Sequence, residues 1–176
     1  MLNPSEIDHQ ATPQLDMRAV LKDATNFTGI KTAVVGAIQE MRVKGATRIG
    51  FISGPLGETS GYVNDQAGSA WKKSMNEMKK VEEEMITQYQ IPIFSSADIF
   101  GTKWEELVEG RQINEGLLVG DEKSAVMNSL FHDLLIEGGI TDIFMMKGWR
   151  NAPGAVYEHS VANRPDSVIA IHDLDL

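Results

Sequence analysis

The chain has no cysteine among its 176 residues. This excludes disulfide bonds and thiolate metal sites, and it is compatible with a reducing compartment. No apolar stretch approaches the roughly 18 residues of a membrane-spanning helix, and the polar, acidic start lacks the pattern of a secretory signal. We therefore expect a cytoplasmic protein that does not interact with membranes.

Positive charge is also scarce, because 16 Lys and Arg stand against 25 Asp and Glu and give a net charge of −9. No Lys/Arg cluster is dense enough to bind the backbone of a nucleic acid polymer. A free nucleoside or nucleotide remains a candidate ligand. The histidines lack the spacing of metal ligands, and we expect neither a metal nor an organic cofactor. These are His9, His132, His159 and His172.

The apolar pattern predicts an α/β fold. After a polar arm over residues 1–13, helical spacing covers 15–25 and 30–43, so residues 1–46 form an N-terminal arm with helices. From 47 to 176, β-rich runs alternate with helical patterns, which predicts a Rossmann-like or flavodoxin-like parallel sheet flanked by helices. The strands are predicted at Arg48–Ser53, Ile91–Phe94, Thr141–Met146 and Ser167–Ile171, and the helices at Asn64–Gln88, Asp121–Glu137 and Pro153–Asn163.

One long connection, residues 95–120, has no clear period. It contains aromatic and charged residues, among them Trp104. Such a segment is typical of a functional lid, and equally of an irregular packed excursion.

The stretch Met145–Ala162 is the most informative part of the chain. A loop of small residues leads from an apolar strand into a helix that carries Glu158, at the edge of the sheet where open α/β folds bind ligands. We expect the helix dipole and free N–H groups to favour the charged form of Glu158, which would be a nucleophile or a base. The alternative is a glutamate that only interacts with the dipole or completes a capping box.

Asp133 is the second carboxylate of interest. It lies near the C-terminal end of the helix predicted at Asp121–Glu137, where the helix dipole is unfavourable to a negative charge. Either solvent exposure or a functional role would explain it.

Three elements recur in order along the chain: FISGP at Phe51–Pro55, Asp133-Leu134, and a strand–loop–helix with GW and GAxxE at Asp142–Glu158. With them, the region from about Arg48 to Ile171 resembles the nucleoside 2-deoxyribosyltransferase-like family, which includes N-glycosidases of 2'-deoxynucleoside 5'-monophosphates. The resemblance implies that Glu158 attacks the anomeric carbon of the sugar and that Asp133 holds the sugar or assists proton transfer. It also implies a homodimer or a higher homo-oligomer.

The resemblance further implies a substrate pocket for a nucleoside or nucleotide, with small residues at the sugar end. Phe51, Trp149 and Trp104 are candidates for stacking on the base. Ala152 stands where the family commonly has Asp or Ser, so we expect Arg150 or Asn151 to replace that contact, with Arg150 selecting a 5'-phosphate. The substrate-binding residues implied are Ser53, Gly54, Pro55, Trp149, Arg150, Asn151 and Gly154.

Two classes of function follow. The first, which we favour, is an enzyme that cleaves or transfers the N-glycosidic bond of a (deoxy)nucleoside or its 5'-monophosphate. The second is a non-catalytic nucleotide-binding or sensing module, since a fold does not fix a function. A nucleotide phosphoribohydrolase fits less well, because the loop NAPGAVYE lacks the doubled glycine and the threonine expected there. The base, the phosphate and the choice between hydrolysis and transfer stay open.

Overall fold

The computed structural model describes residues 13–56, 67–104 and 130–174. Within them, parallel strands form one sheet in the order β2-β1-β3-β4. The strands are β1 (Gly50–Ser53), β2 (Ile93–Ser95), β3 (Asp142–Met145) and β4 (Ala170–Asp173). Helices flank this sheet, so the predicted α/β class with a parallel sheet is confirmed.

The helices begin and end where the sequence supplies caps. The Asn26 side chain accepts the Gly29 N–H at 2.8 Å at the start of α2 (Phe27–Val43). Gly45 follows α2 with φ of +99°, and Gly139 follows α5 (described over 130–137) with φ of +74°, a conformation that glycine favours at the end of a helix. None of the helices in the described ranges combines the length and apolar content that crossing a membrane requires. They are α1 (Met17–Val20), α2 (Phe27–Val43), α3 (Ala67–Tyr89), α4 (Ser96–Trp104), α5 (described over 130–137) and α6 (Pro153–Ala162).

Several predicted boundaries were wrong. The first helix is a single turn, and α2 begins at its Asn26 cap rather than at Ile30. β4 begins at Ala170 instead of Ser167, because the Ala170 N–H bonds to the Thr141 carbonyl and sets the register with β3. The segment predicted as irregular, residues 95–120, contains α4, and its residues 105–120 lie outside the described part of the chain. Residues 121–129, where the next helix was predicted to begin, also lie outside it.

The sheet is covered on both faces. α2, α5 and α6 pack on the face that carries Phe51 and Met145, whereas α3 packs on the face that carries Ile52 and Phe144. The helices that follow β1 and β3, α3 and α6, therefore lie on opposite faces. This divergence at the carboxyl ends of adjacent strands is where open α/β sheets form a ligand crevice.

The N-terminal helices belong to the same core as the sheet. Ile30, Val34 and Ile38 of α2 are fully buried in the cluster that includes Phe51. The Gln14 side chain donates to the carbonyl of residue 91 at 3.5 Å and accepts the N–H of residue 93 at 3.3 Å. These backbone groups lie at the start of β2, on the side of the strand that has no neighbouring strand in the described sheet, and Gln14 supplies their hydrogen bonds.

A buried carboxyl joins α3 to α4. Lys79 donates to Glu82 and, at 2.6 Å, to Asp98, which also accepts the N–H and hydroxyl of Ser95. The Glu82 Oε2 atom is buried and has no hydrogen-bond partner among the described residues. Burial, together with the adjacent Asp98, raises the pKa of Glu82 to about 8.

We expect Glu82 to make the protein less stable as the pH rises. Its folded-state pKa lies above the ordinary value of 4.5, so its contribution is complete below that value and is lost as the pH passes through about 8. Glu82→Gln keeps a neutral group and should flatten this loss. Urea unfolding from about pH 5 to pH 9 measures it.

The matched control is Glu83→Gln on the exposed side of α3. It should keep the pH dependence of the parent. Identical curves for the parent and Glu82→Gln would show that Glu82 is ionised in the folded protein.

Candidate active site

The candidate site lies at the carboxyl ends of β1 and β3. Ser53, the last residue of β1, pairs with Met145 in the sheet and has no exposed surface. Its hydroxyl donates a hydrogen bond to Oε2 of Glu158 on α6. The strand–loop–helix element therefore directs Glu158 to the edge of the sheet, where the sequence predicted it.

The loop between β3 and α6 sets this orientation. The Met146 N–H bonds to the Ser53 carbonyl at 2.8 Å, and Gly148 then turns the chain with φ of +80°. A short 3₁₀ turn over Trp149–Asn151 leads to Pro153 at the start of α6, a position that proline favours. Glu158 is thus on the buried side of the helix.

Burial governs the charge of Glu158. Its residue exposure is 6%, and desolvation raises its pKa to about 7, while the Ser53 hydrogen bond acts in the opposite direction. We expected the helix dipole and free N–H groups to favour the charged form, but burial favours the neutral form more, because the side chain points inward from beyond the first turn and loses its hydration. Near neutral pH both the acid and the carboxylate are populated.

Asp133 is engaged elsewhere. Its carboxylate accepts from Lys31 of α2 at 2.7 Å and lies 3.2 Å from the neighbouring His132 ring. The Lys31 hydrogen bond holds the pKa of Asp133 below its usual value. This ion pair explains how a carboxylate is tolerated late in a helix. The described contacts of Asp133 do not include Glu158.

Trp149 and Arg150 are both tied to the end of β4. The Trp149 indole donates to Asp173 at 3.3 Å, stacks on His159 at 4.4 Å between ring centres, and is 7% exposed. Arg150 donates to the other Asp173 oxygen at 2.5 Å and lies 4.7 Å from the Trp149 ring centre. Trp149 thus presents little ring surface to a base, whereas the Arg150 side chain is half exposed.

The two glycines of the site meet different surroundings. A Cβ atom on Gly54 would lie 2.7 Å from the Met146 Cβ, so the group that packs closely against this glycine is the Met146 side chain and not a ligand. A Cβ on Gly154 would meet nothing within 4 Å. Gly154 and the exposed Asn151 border open space at the start of α6, and Pro55 is half-buried beside β1.

The other stacking candidates do not join this group. Phe51 is 1% exposed and lies 5.3 Å from the Phe94 ring and 5.7 Å from the Phe131 ring, so its expected role in stacking on a base was wrong. It is a core residue because the inner faces of parallel strands are covered. The Trp104 side chain lies outside the described part of the chain.

Comparison of the chain with protein-family models, with curated proteins and with solved structures gives no match. The family resemblance therefore stays an expectation that rests on its three sequence elements. Among the residues that the structure describes, no group of three or more His, Asp or Glu side chains could hold a metal ion.

Sequence reasoning missed two partners in this region. Ser53 was assigned to the substrate, yet it bonds to Glu158. Lys31, in a helix outside the resemblance, was not considered, yet it bonds to Asp133. A serine that ends a buried strand is a signal that could have identified the first, because a buried hydroxyl needs a partner. The Lys31 contact is long-range and has no local signal.

The Lys31 ion pair reverses the expected effect of changing Asp133. The dipole argument implies that Asp133→Asn stabilises the fold slightly, but this substitution also removes one of the two ion pairs of Lys31, which keeps its pair with Glu137 at 3.0 Å. We expect a modest decrease in the free energy of unfolding, within the range of surface ion pairs. Urea unfolding of Asp133→Asn, Lys31→Met and the double variant measures it, and the two losses should not add.

Lys44→Met is the control, because Lys44 lies after α2 and its ion pair within the described ranges is a long, exposed one with Glu40 at 4.0 Å. An increase in stability for Asp133→Asn would mean that the dipole outweighs the ion pair.

Proposed function

We propose that the protein cleaves or transfers the N-glycosidic bond of a (deoxy)nucleoside or its 5'-monophosphate, with Glu158 as the nucleophile. The observation that carries this proposal is the buried Glu158 carboxyl, hydrogen-bonded to Ser53 where the connections after β1 and β3 diverge. Perturbed carboxyls at such a position favour a functional role over a purely structural one.

The chemistry needs the ionised form of Glu158. One carboxylate oxygen attacks C1' of the sugar, the bond from C1' to the base nitrogen breaks, and that nitrogen takes up a proton from solvent. Water or a second base then attacks C1', gives up a proton to solvent and releases the carboxylate. With a pKa of about 7, Glu158 is ionised in a large fraction of molecules at neutral pH. Its low exposure keeps competing water away from the reacting oxygen.

The proposal depends mainly on Glu158, and the role of Asp133 in it has less support. The resemblance assigns Asp133 to the sugar or to proton transfer, but its oxygens are occupied by Lys31 and His132. A role for Asp133 in the reaction therefore requires the Lys31 pair to open or to share the carboxylate with the sugar.

The open side of the site suits the polar end of a nucleotide. Ala152 caps α6 without a side-chain hydrogen bond, and Gly154 leaves free space beside it. The start of a helix favours an anion through its N–H groups and its dipole. Arg150 lies in the adjoining turn, and a guanidinium can bind a phosphate through two hydrogen bonds.

A binding or sensing module is the second candidate, and the burial of Glu158 favours it. A carboxyl that is 6% exposed and partly neutral could form a hydrogen bond with a ligand without attacking it. The two candidates differ in a single observable. An enzyme releases free base from a panel of nucleosides and 5'-monophosphates, whereas a module binds one of them without change.

Replacing Glu158 by Gln should abolish base release and leave the fold intact. Loss of a covalent nucleophile costs several powers of ten in rate, at about 1.4 kcal/mol for each. The same variant should be more stable than the parent above about pH 7, because a raised pKa makes the parent lose stability as the pH rises from 4.5 through 7. Chromatography of released base and thermal unfolding measure both effects.

The pH profile of the parent is the companion measurement. If Glu158 attacks as a carboxylate, kcat/KM rises with pH and levels off above about 7. A profile that falls through that range would make Glu158 a general acid. Base release by Glu158→Gln at the parent rate would remove Glu158 from the reaction altogether.

Arg150→Ala tests whether Arg150 binds the 5'-phosphate of the ligand. We expect weaker binding of a 5'-monophosphate by about 1.5–3 kcal/mol, the range for hydrogen bonds to charged groups, and little change for the matching nucleoside. Titration calorimetry with both ligands on the Glu158→Gln background avoids turnover. Asp173→Asn is the control, because it removes the ion pair of Arg150 and keeps its positive charge.

If the phosphate is bound by Arg150, Asp173→Asn should bind the monophosphate at least as well as the parent. Equal losses for nucleoside and monophosphate in Arg150→Ala would instead indicate that Arg150 only supports the loop.

A further inference from the structure

The bond between Ser53 and Glu158 joins elements that are far apart in the chain. Ser53 ends β1, Glu158 lies on α6, and the donor and acceptor are 105 residues apart in sequence. Both side chains are buried. We propose that Ser53 is a positioning residue that holds one oxygen of Glu158 and sets the pH at which this carboxyl becomes reactive. This inference rests on the proposed function.

The hydroxyl can do this because of its direction and its isolation from water. It donates to Oε2, so it stabilises the charged form of Glu158 against the desolvation that favours the neutral form. With Oε2 fixed, Oε1 is the oxygen left to meet a ligand. A buried serine with no exposed surface also cannot exchange this bond for one to solvent.

Other titratable groups near α6 and α5 contact groups other than the Glu158 carboxyl. His159 stacks on Trp149, and Asp133 lies beside Lys31 and His132. Arg150 bonds to Asp173. In the described part of the chain, the Ser53 hydroxyl is the group that bonds to the Glu158 carboxyl. Ser53 is therefore the residue through which the titration of Glu158 can be changed.

The fold supplies a matched control. Ser95 ends β2, lies beside Ile52 of β1, and is as completely buried as Ser53. Its hydroxyl bonds to Asp98 rather than to Glu158. Ser95→Ala thus removes a buried hydroxyl from the equivalent place on the neighbouring strand without touching the Glu158 carboxyl.

The experiment uses the full chain and the variants Ser53→Ala, Ser53→Thr and Ser95→Ala. The titration of Glu158 is followed by infrared difference spectroscopy of its carboxyl band, which is assigned by its absence in Glu158→Gln. We expect the midpoint to move to higher pH in Ser53→Ala, and to stay at the parent position in Ser53→Thr and Ser95→Ala. An unchanged midpoint in Ser53→Ala, or an equal move in Ser95→Ala, would overturn the inference.

Kinetics separate this inference from the proposed function. If base is released, kcat/KM of Ser53→Ala below the Glu158 midpoint should fall by about tenfold, the effect of one hydrogen bond to a charged group, and recover at higher pH. A uniform loss at every pH would indicate a structural role and overturn the inference. If no variant releases base but the midpoint still moves in Ser53→Ala alone, the proposed function fails and the control of Glu158 by Ser53 stands.

Discussion

The cost of burying the Glu158 carboxyl governs the candidate site. A carboxylate removed from water must regain hydrogen bonds or become neutral. In the described structure Glu158 regains one, from Ser53. This is too little to restore an ordinary pKa and enough to keep the charged form accessible, so the pKa lies near 7.

Asp142 shows what a fully compensated carboxylate looks like in the same sheet. It is 1% exposed, less than Glu158, yet its pKa is lowered. Hydrogen bonds to a guanidinium, a hydroxyl and an imidazole outweigh its burial. These come from Arg48, Thr141 and His172. Burial alone therefore does not distinguish a reactive carboxyl from a structural one. The number and charge of the partners differ: Asp142 is held ionised at the amino end of β3, whereas Glu158 has the Ser53 hydrogen bond and a raised pKa.

The fold was predictable from local patterns because β1, β2 and β3 are short, mostly apolar and buried, and because glycines follow α2 and α5. β4 is only partly buried, and its predicted start was wrong. The placement of Glu158 at the sheet edge followed from the same patterns. Its charge did not, since whether a helical side chain turns inward depends on packing against β1, which lies far away in sequence. The Lys31 pair with Asp133 was unpredictable for the same reason. Phe51 illustrates the opposite error, in which a motif residue was assigned to a ligand although its neighbours in the sheet already surround it.

The two carboxylates that the family resemblance connects are separated in this structure by their partners. Glu158 faces β1, whereas Asp133 faces α2 through Lys31. Since α2 shares the core of the sheet through Ile30, Val34 and Ile38, it is anchored, and Lys31 is presented to Asp133 by a fixed helix. A reaction that uses both carboxylates would have to redistribute the Lys31 contact, because an ammonium bound to Asp133 keeps that carboxylate ionised and unable to donate a proton. In such a reaction, proton delivery to the leaving base is therefore easier to reconcile with a group other than Asp133.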